Sequence, residues 1–299
     1  MADVTDRLGC DKRGQLLLIT ALALAVILLT VALLLNAAVY TENVATRETA
    51  ADSHDAIAFR SETVDGVTEL IATENRHGTG DPAAVGDGIN ATGPLVDRQQ
   101  ARAGVVANVS FNGTTEGRRI AATSLDNGDD WAFVEGVDGA RNVTLSVDPS
   151  TLANDPTDVE ADALGVRFVT TTGNETRYVY REGSEVVVDA ANETHAPSRR
   201  CGVPTGDPTT VDLTGDRLIA GGTTVDCFRG VWPEATVEDV RIVNGPGTTG
   251  SIAATVRGYD AVTADTDRAV VYAATVDLVY RTPEVDFETT VRVAPGEPR

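Results

Sequence analysis

The stretch Tyr178-Val179-Tyr180-Arg181-Glu182-Gly183-Ser184-Glu185-Val186-Val187-Val188 decides how most of this 299-residue chain folds. Aromatic and β-branched residues on both sides of a Glu-Gly turn form a β-hairpin. Such side chains suit a pleated surface, and glycine supplies the backbone freedom of a tight reversal. Upstream, Gly165 to Thr171 and a turn at Gly173-Asn174 extend the hairpin into a three-stranded meander. Further out, Val143, Leu145 and Val147 alternate with polar neighbours, the period-two pattern of a half-buried strand. The C-terminal third repeats the habit: Val237 to Val243, a turn at Gly245-Pro246-Gly247, Ile252 to Arg257, Ala269 to Tyr280 and Phe287 to Val293. Short strands punctuated by turns favour an antiparallel sandwich or a pair of packed sheets over residues 105–299. About 195 residues suffice for a core of their own, as one domain or as two small sheets. The segment from Cys201 to Cys227, rich in Pro, Gly, Thr and Asp, reads as an irregular insertion.

Toward the N-terminus the composition changes. Residues 78–104 turn to Gly, Asp, Ala and Pro, as in Gly78-Thr79-Gly80-Asp81-Pro82 and Gly86-Asp87-Gly88, the composition of a linker or long surface loop. Residues 40–77 read as an amphipathic helical extension, in which Gly66 is the one helix breaker between positions 41 and 75. Ile57, Val64 and Ile71 recur every seven residues, and Val67 and Leu70 fill the same stripe. Glu48, Asp52, Arg60, Glu62, Asp65 and Glu69 occupy the other faces. The stripe is expected to pack on the β domain; as a coiled-coil stalk, its few alanine-rich heptads are marginal. The expected class is α+β: a long N-terminal helix, then a mainly antiparallel, sandwich-like domain.

Before that extension, Lys12-Arg13-Gly14-Gln15 stand directly against a run from Leu16 to Leu35 that contains no charge. A helix of such length rises about 30 Å, the thickness of a bilayer core. The charges lie on the N-terminal side of the run, so the positive-inside bias keeps residues 1–14 in the cytoplasm as a leader. Residues 15–39 are then a single transmembrane helix in the lipid bilayer, and the C-terminal domain is extracellular. An ordinary uncleaved signal anchor and a removable secretory peptide give the same topology, although a removable core is shorter, about 7 to 15 residues.

The junction Lys12-Arg13-Gly14-Gln15, followed by Leu16-Leu17-Leu18 and the exit Leu35-Asn36-Ala37-Ala38-Val39-Tyr40, resembles the class III signal of archaeal type IV pilins. More widely, the arrangement over residues 12–39 is similar to that of pilin-like surface proteins of halophilic archaea. The resemblance implies a prepilin peptidase that cuts between Gly14 and Gln15, and other pilin-like subunits as partners. It also implies an extension lying across a β-sheet. Ile19 departs from the pattern, standing fifth in the processed chain where many pilins carry a glutamate that registers subunits.

The net charge is -21, from 45 acidic and 24 basic residues. Asp3, Asp6 and Asp11 balance Arg7, Lys12 and Arg13, so the whole excess falls on the exported part, where every basic residue is arginine. Such a domain repels itself at ordinary ionic strength, but at about 1 M salt the screening length shrinks to about 3 Å. The composition therefore reads as halophilic. It also argues against a nucleic-acid partner, which needs a basic surface. Asn-x-Ser/Thr occurs at Asn90, Asn108, Asn112, Asn142, Asn174 and Asn192, which makes the N-glycosylation machinery an expected partner. At Asn112, Asn-Gly reads equally well as a turn. Cys10 lies in the leader, leaving Cys201 and Cys227 either as a disulfide in an oxidising compartment or as two separate thiols.

Motifs for chemistry are sparse. His54, His77 and His195 are dispersed, and no nucleophile elbow, phosphate loop, dinucleotide fingerprint or zinc spacing occurs. No metal, cofactor or catalytic residue is assigned. Asp126, Asp129 and Asp130 around Asn127-Gly128 depart from calcium-loop spacing and read as a solvated acidic turn. Glu182 and Glu185 form a nominal carboxylate pair, but one in a hairpin turn facing solvent. Three functions stay open: a non-catalytic pilin-like subunit or accessory, a monomeric anchored envelope or binding module, and an extracytoplasmic hydrolase whose site goes unrecognised.

Overall fold

The computed structural model describes residues 54–228 and 230–298. The leader, the apolar run and residues 40–53 of the extension lie outside them. Among the described residues no helix is long and apolar enough to cross a membrane. By compactness the chain divides into a small unit, to which residues 54–59 and 280–287 belong, and a main unit of residues 60–279 and 288–299. In the small unit the rings of Phe59 and Tyr280 lie 5.5 Å apart, and Arg281 pairs with Asp286 at 2.8 Å.

The main unit is built mostly of antiparallel strands in two sandwich-like sheets. Residues 54–77 form a helix, α1. A second helix, α2 (Pro82–Ala101), follows, then β1 (Val106–Ala122), β2 (Asp130–Glu135) and β3 (Gly139–Val147). After a short helix, α3 (Val159–Asp162), come β4 (Leu164–Thr170), β5 (Gly173–Glu182), β6 (Glu185–Asn192) and β7 (His195–Pro204). Three four-residue strands follow, β8 (Thr209–Asp212), β9 (Arg217–Ala220) and β10 (Thr223–Asp226). Last are β11 (Val237–Val243), β12 (Gly250–Arg257), β13 (Ala261–Val262), β14 (Thr266–Arg281) and β15 (Asp286–Val293). One sheet has the order β10-β9-β8-β3-β12-β1-β14-β15, the other β13-β2-β11-β4-β5-β6-β7. Between them lies the core, with Ile120, Leu145, Val211 and Ile252 from the first sheet and Phe133, Val166, Phe168, Val179, Val188 and Ile242 from the second.

The hairpin forms as its sequence dictates. Tyr180 pairs with Val187 and Glu182 with Glu185, leaving Gly183-Ser184 as a two-residue turn with Gly183 at φ 59°. Thr170 opposite Gly173 closes the preceding turn of the meander.

Three expectations need correction. Residues 78–104 are not a linker, since most of them form α2. Asp81 caps this helix by accepting from the Ala83 amide at 2.8 Å, and Pro82 occupies the first turn, where its missing N–H costs nothing. The glycines that suggest a loop mark close approach instead: a Cβ on Gly93 meets the Val109 carbonyl oxygen at 2.6 Å, and one on Gly86 meets the Phe111 ring at 3.1 Å. Second, the stripe of α1 is the buried face only from Val64 on, where Val64 and Leu70 are half-buried. Val67 and Ile71 are buried, but Ile57 is 66 % exposed and the buried line runs back through Phe59 and Ala56. A 3.6-residue turn drifts about 20° per heptad, so a strict seven-residue spacing leaves the packed face. Third, the segment between the cysteines is not irregular. It holds the end of β7 and all of β8, β9 and β10, and Gly221-Gly222, both at positive φ, make the two-residue turn between the last two.

The C-terminal end of α1 is fastened to the sheet through Asn75. Its side-chain amide donates to the Val271 carbonyl and accepts from the Val271 N–H, both at 2.8 Å, as a neighbouring strand would. Glu74 closes the link to α2 by accepting the amides of Thr79, Gly80 and Asp81 at 3.0, 3.1 and 3.1 Å. These contacts set opposite expectations for two helical glycines. Gly66→Ala, with nothing within 4 Å of the new methyl, should stabilise the protein by up to about 1 kcal/mol through helix propensity. Gly93→Ala should destabilise it by about 1–3 kcal/mol despite the same propensity gain, since the obstacle is backbone. Denaturant unfolding at high salt measures both.

Candidate functional site

Lys12, Arg13, Gly14 and Gln15 lie outside the described residues. Cys201 and Cys227 are joined as a disulfide. Cys201 lies on β7, the edge of the seven-stranded sheet, and Cys227 directly follows β10, the edge of the eight-stranded one, so the bond clips the two sheets together along one side.

The six sequon asparagines divide by environment. Asn90 on α2, Asn108 and Asn112 on β1, Asn174 on β5 and Asn192 at the end of β6 are exposed. Asn112 is not in a tight turn; its amide donates to both Asp277 oxygens, at 3.1 and 2.9 Å, from within β1. Asn174 likewise donates to Glu193 at 3.1 Å. Asn142 is different. It sits at φ 50° where the register of β3 against β12 shifts, with Thr144 opposite Ala253 but Arg141 opposite Thr255. Asn142 and Val143 on β3 therefore stand opposite Ala254 alone on β12, a bulge whose left-handed residue asparagine tolerates better than most. Its amide nitrogen donates to the Pro295 carbonyl at 3.2 Å. Glycan attachment at Asn142 would compete with that bond, whereas the other five sequon asparagines are exposed.

The bulge also turns Arg141 away from the core, toward a cluster for which period-two reading offers no signal. Arg141, Arg257 and Arg292 lie 5.2, 5.9 and 5.8 Å from the centre of the Tyr272 ring. Arg141 is 2 % exposed and donates to the carbonyls of Val271, at 3.0 Å, and Pro295. The Tyr272 hydroxyl donates to Glu297 at 2.9 Å, and Arg292 holds the same carboxylate with both terminal nitrogens. Burial pushes Arg141 down to about 10, which still leaves it charged at neutral pH. Burial first, then the Glu297 charge, pushes the Tyr272 phenol up. The cluster is closed by the segment after β15 and works as a clamp on that segment.

Other sequence candidates are occupied by arginine. Asp130 binds Arg167 at 2.6 Å and Arg241 at 2.8 Å, and among the described residues no group of His, Cys, Asp or Glu is arranged to hold a metal ion. Glu182 and Glu185 do not simply face solvent; both grip Arg199, at 2.6 Å each. His54 and His77 are exposed on α1, and His195 Nδ1 lies 2.8 Å from the Thr194 hydroxyl. None of these joins a catalytic constellation.

Residues 10–182 match a family of unknown function, DUF7261. No curated protein matches the sequence.

Two measurements test the roles of these clusters. Cys227→Ser should cost about 3.5 kcal/mol of stability, the chain entropy of a loop of this length, read from denaturant midpoints with and without reductant. The hydrogen bond from Arg292 holds Glu297 below its ordinary value of 4.5, so Glu297 adds stability above that pH and loses it as pH falls through the lowered value. The gap in unfolding free energy between the wild type and Glu297→Gln should therefore be open at neutral pH and close in acid. A gap that stays constant with pH removes the charge from the explanation.

Proposed function

The chain belongs to DUF7261, a family of unknown function, and on that premise we propose a single-pass, membrane-anchored cell-surface protein that is processed like an archaeal pilin. Its role on this reading is non-catalytic, as a minor subunit or accessory of a type IV pilus-like assembly. The observation that carries the proposal is the uncharged run Leu16 to Leu35 set directly against Lys12-Arg13-Gly14-Gln15. The family match supports reading this segment together with the first part of the β domain, because it begins ahead of the run and extends to the end of β5. The disulfide and the five exposed sequons suit an oxidising, glycosylating exterior.

On this reading Lys12 and Arg13 hold the leader in the cytoplasm, Gly14 is read at the cut, and the run from Leu16 is both anchor and assembly surface. The excess of acidic residues on the exported part suits concentrated salt. A second reading, an anchored envelope module with no filament role, is favoured by Ile19, since the glutamate that registers pilin subunits is missing there.

Mass spectrometry of the mature N-terminus separates the two. A chain beginning at Gln15 is expected, and one retaining Met1 selects the plain anchor. Protease applied to intact cells should remove the β domain in either case. Full-length protein recovered from the cytosol ends both readings.

A further inference from the structure

The side of β5, β6 and β7 that faces the core turns polar toward one end. Along β5 the positions that follow Val179 on this face are Arg177 and Glu175, and along β6 Val188 is followed by Ala190 and Asn192. Asn192 pairs with His195 and Ala190 with Ser198 on β7. These residues and Arg200 line a cavity of about 270 Å³, in which alanine on β6 leaves the room.

Charge within the cavity does not balance. Arg177, 4 % exposed, is satisfied: it pairs with Glu175 at 2.7 Å, donates to the Val231 carbonyl, and lies 5.8 Å from the centre of the Phe168 ring. Arg200 has no carboxylate within ion-pair distance among the described residues, and its buried Nε has no hydrogen-bond partner. A guanidinium with no direct ion pair has its fork free for one negative charge, and that planar fork matches a carboxylate. A dianionic phosphate would bring twice the charge that is missing.

The remaining groups are suited to hydroxyls. Asn192 Oδ1 is taken by the amides of Thr194 and His195, at 3.0 and 2.8 Å, which leaves its nitrogen as donor. His195 Nδ1 is engaged with Thr194, which leaves Nε2. Ser198 makes a 3.3 Å bond to the Ala190 carbonyl, and Glu175 offers a second carboxylate oxygen as acceptor. We propose that this cavity binds a hydroxylated monocarboxylate of the uronic-acid class, with the carboxylate on Arg200 and the hydroxyls on Asn192, His195, Ser198 and Glu175.

The test titrates the full-length chain, in detergent at constant high potassium chloride, with D-glucuronate, D-glucose and acetate by isothermal calorimetry. Glucuronate should bind, and glucose and acetate at least about tenfold more weakly, since each lacks half of the recognised groups. Arg200→Gln should weaken glucuronate by about tenfold to a hundredfold, the worth of one charge-assisted hydrogen bond, with Arg200→Lys between the two. If Arg200→Gln does not fold, Ser198→Ala serves in its place, with an expected loss of about threefold to tenfold. Chain prepared with and without N-glycans separates the sources. Binding by both forms means an external acidic sugar, and binding only without glycans means that the sugar on Asn192 fills the cavity. Equal binding of acetate and glucuronate, no binding of glucuronate by either form, or a folded Arg200→Gln chain that binds as the wild type does overturns the proposal.

Discussion

The apolar layer between the two sheets is the constraint on which the rest of the structure depends. Ile120, Leu145, Val211, Ile252, Phe133, Val166, Phe168, Val179, Val188 and Ile242 have no exposed surface. Each such side chain contributes about 1.5–3 kcal/mol by leaving water, whereas an exposed ion pair contributes about 0–1. The fold is therefore set by the inward positions, and the outward ones are free to accumulate carboxylates until the net charge reaches -21. The chain assembles this layer by crossing repeatedly between sheets: β1 and β3 belong to one sheet and β2 to the other, and the same alternation recurs at β11, β12 and β13. Contacts are thus distant in sequence, which slows folding. The disulfide closes one of these crossings, between the end strands β7 and β10.

After Lys12 arginine takes every place where lysine could stand, and its two deeply buried examples show how the fold accommodates it. Arg141 lies by the ring of Tyr272 and Arg177 by the ring of Phe168; both donate to backbone carbonyls, and a carboxylate stands near each. A buried charge is costly unless its donors are used and its charge is answered. A flat guanidinium can stack on a ring while its edge donates in several directions, which a compact, strongly hydrated ammonium cannot do. Arg200 has the carbonyl of its own residue bonded to Phe228 but no direct ion pair among the described residues, and that asymmetry makes its cavity different from the closed clamp around Tyr272.

Elements that rest on local pattern were legible in the sequence. The meander from Gly165 to Val188 and the strands Val237–Val243 and Ile252 to Arg257 stand where alternation and turn residues put them. What escaped is set by tertiary approach. Gly86 and Gly93 look like loop residues until Phe111 and Val109 are placed against them, although Asp81-Pro82 is a helix start that composition outweighed. Strands β8, β9 and β10 are too short for alternation to show and exist because β3 offers an edge to pair with. Asn142 shows the same limit at a single residue: its sequon is readable, but its role as the bulge that redirects Arg141 appears only when β3 and β12 are in register. The cavity at Arg200 gathers three strands, and no spacing along the chain announces it.

The way α1 joins the β domain decides how that domain is tied to the chain before it. Within the main unit the helix is bound along its length by Val67 and Ile71, and at its end by Asn75, which takes both backbone groups of Val271. Arg268 adds a bond to the Asn75 carbonyl at 2.6 Å. These partners lie on β14, a strand of sixteen residues held between β1 and β15. Load arriving from the N-terminal side is thus shared between an apolar stripe and a strand paired on both edges. Cutting Asn75 leaves the Val271 N–H without its partner while its carbonyl keeps the bond from Arg141, so the fastening is lost at the cost of a backbone donor of the sheet, and the helix belongs to the fold of the β domain as much as to the segment before it.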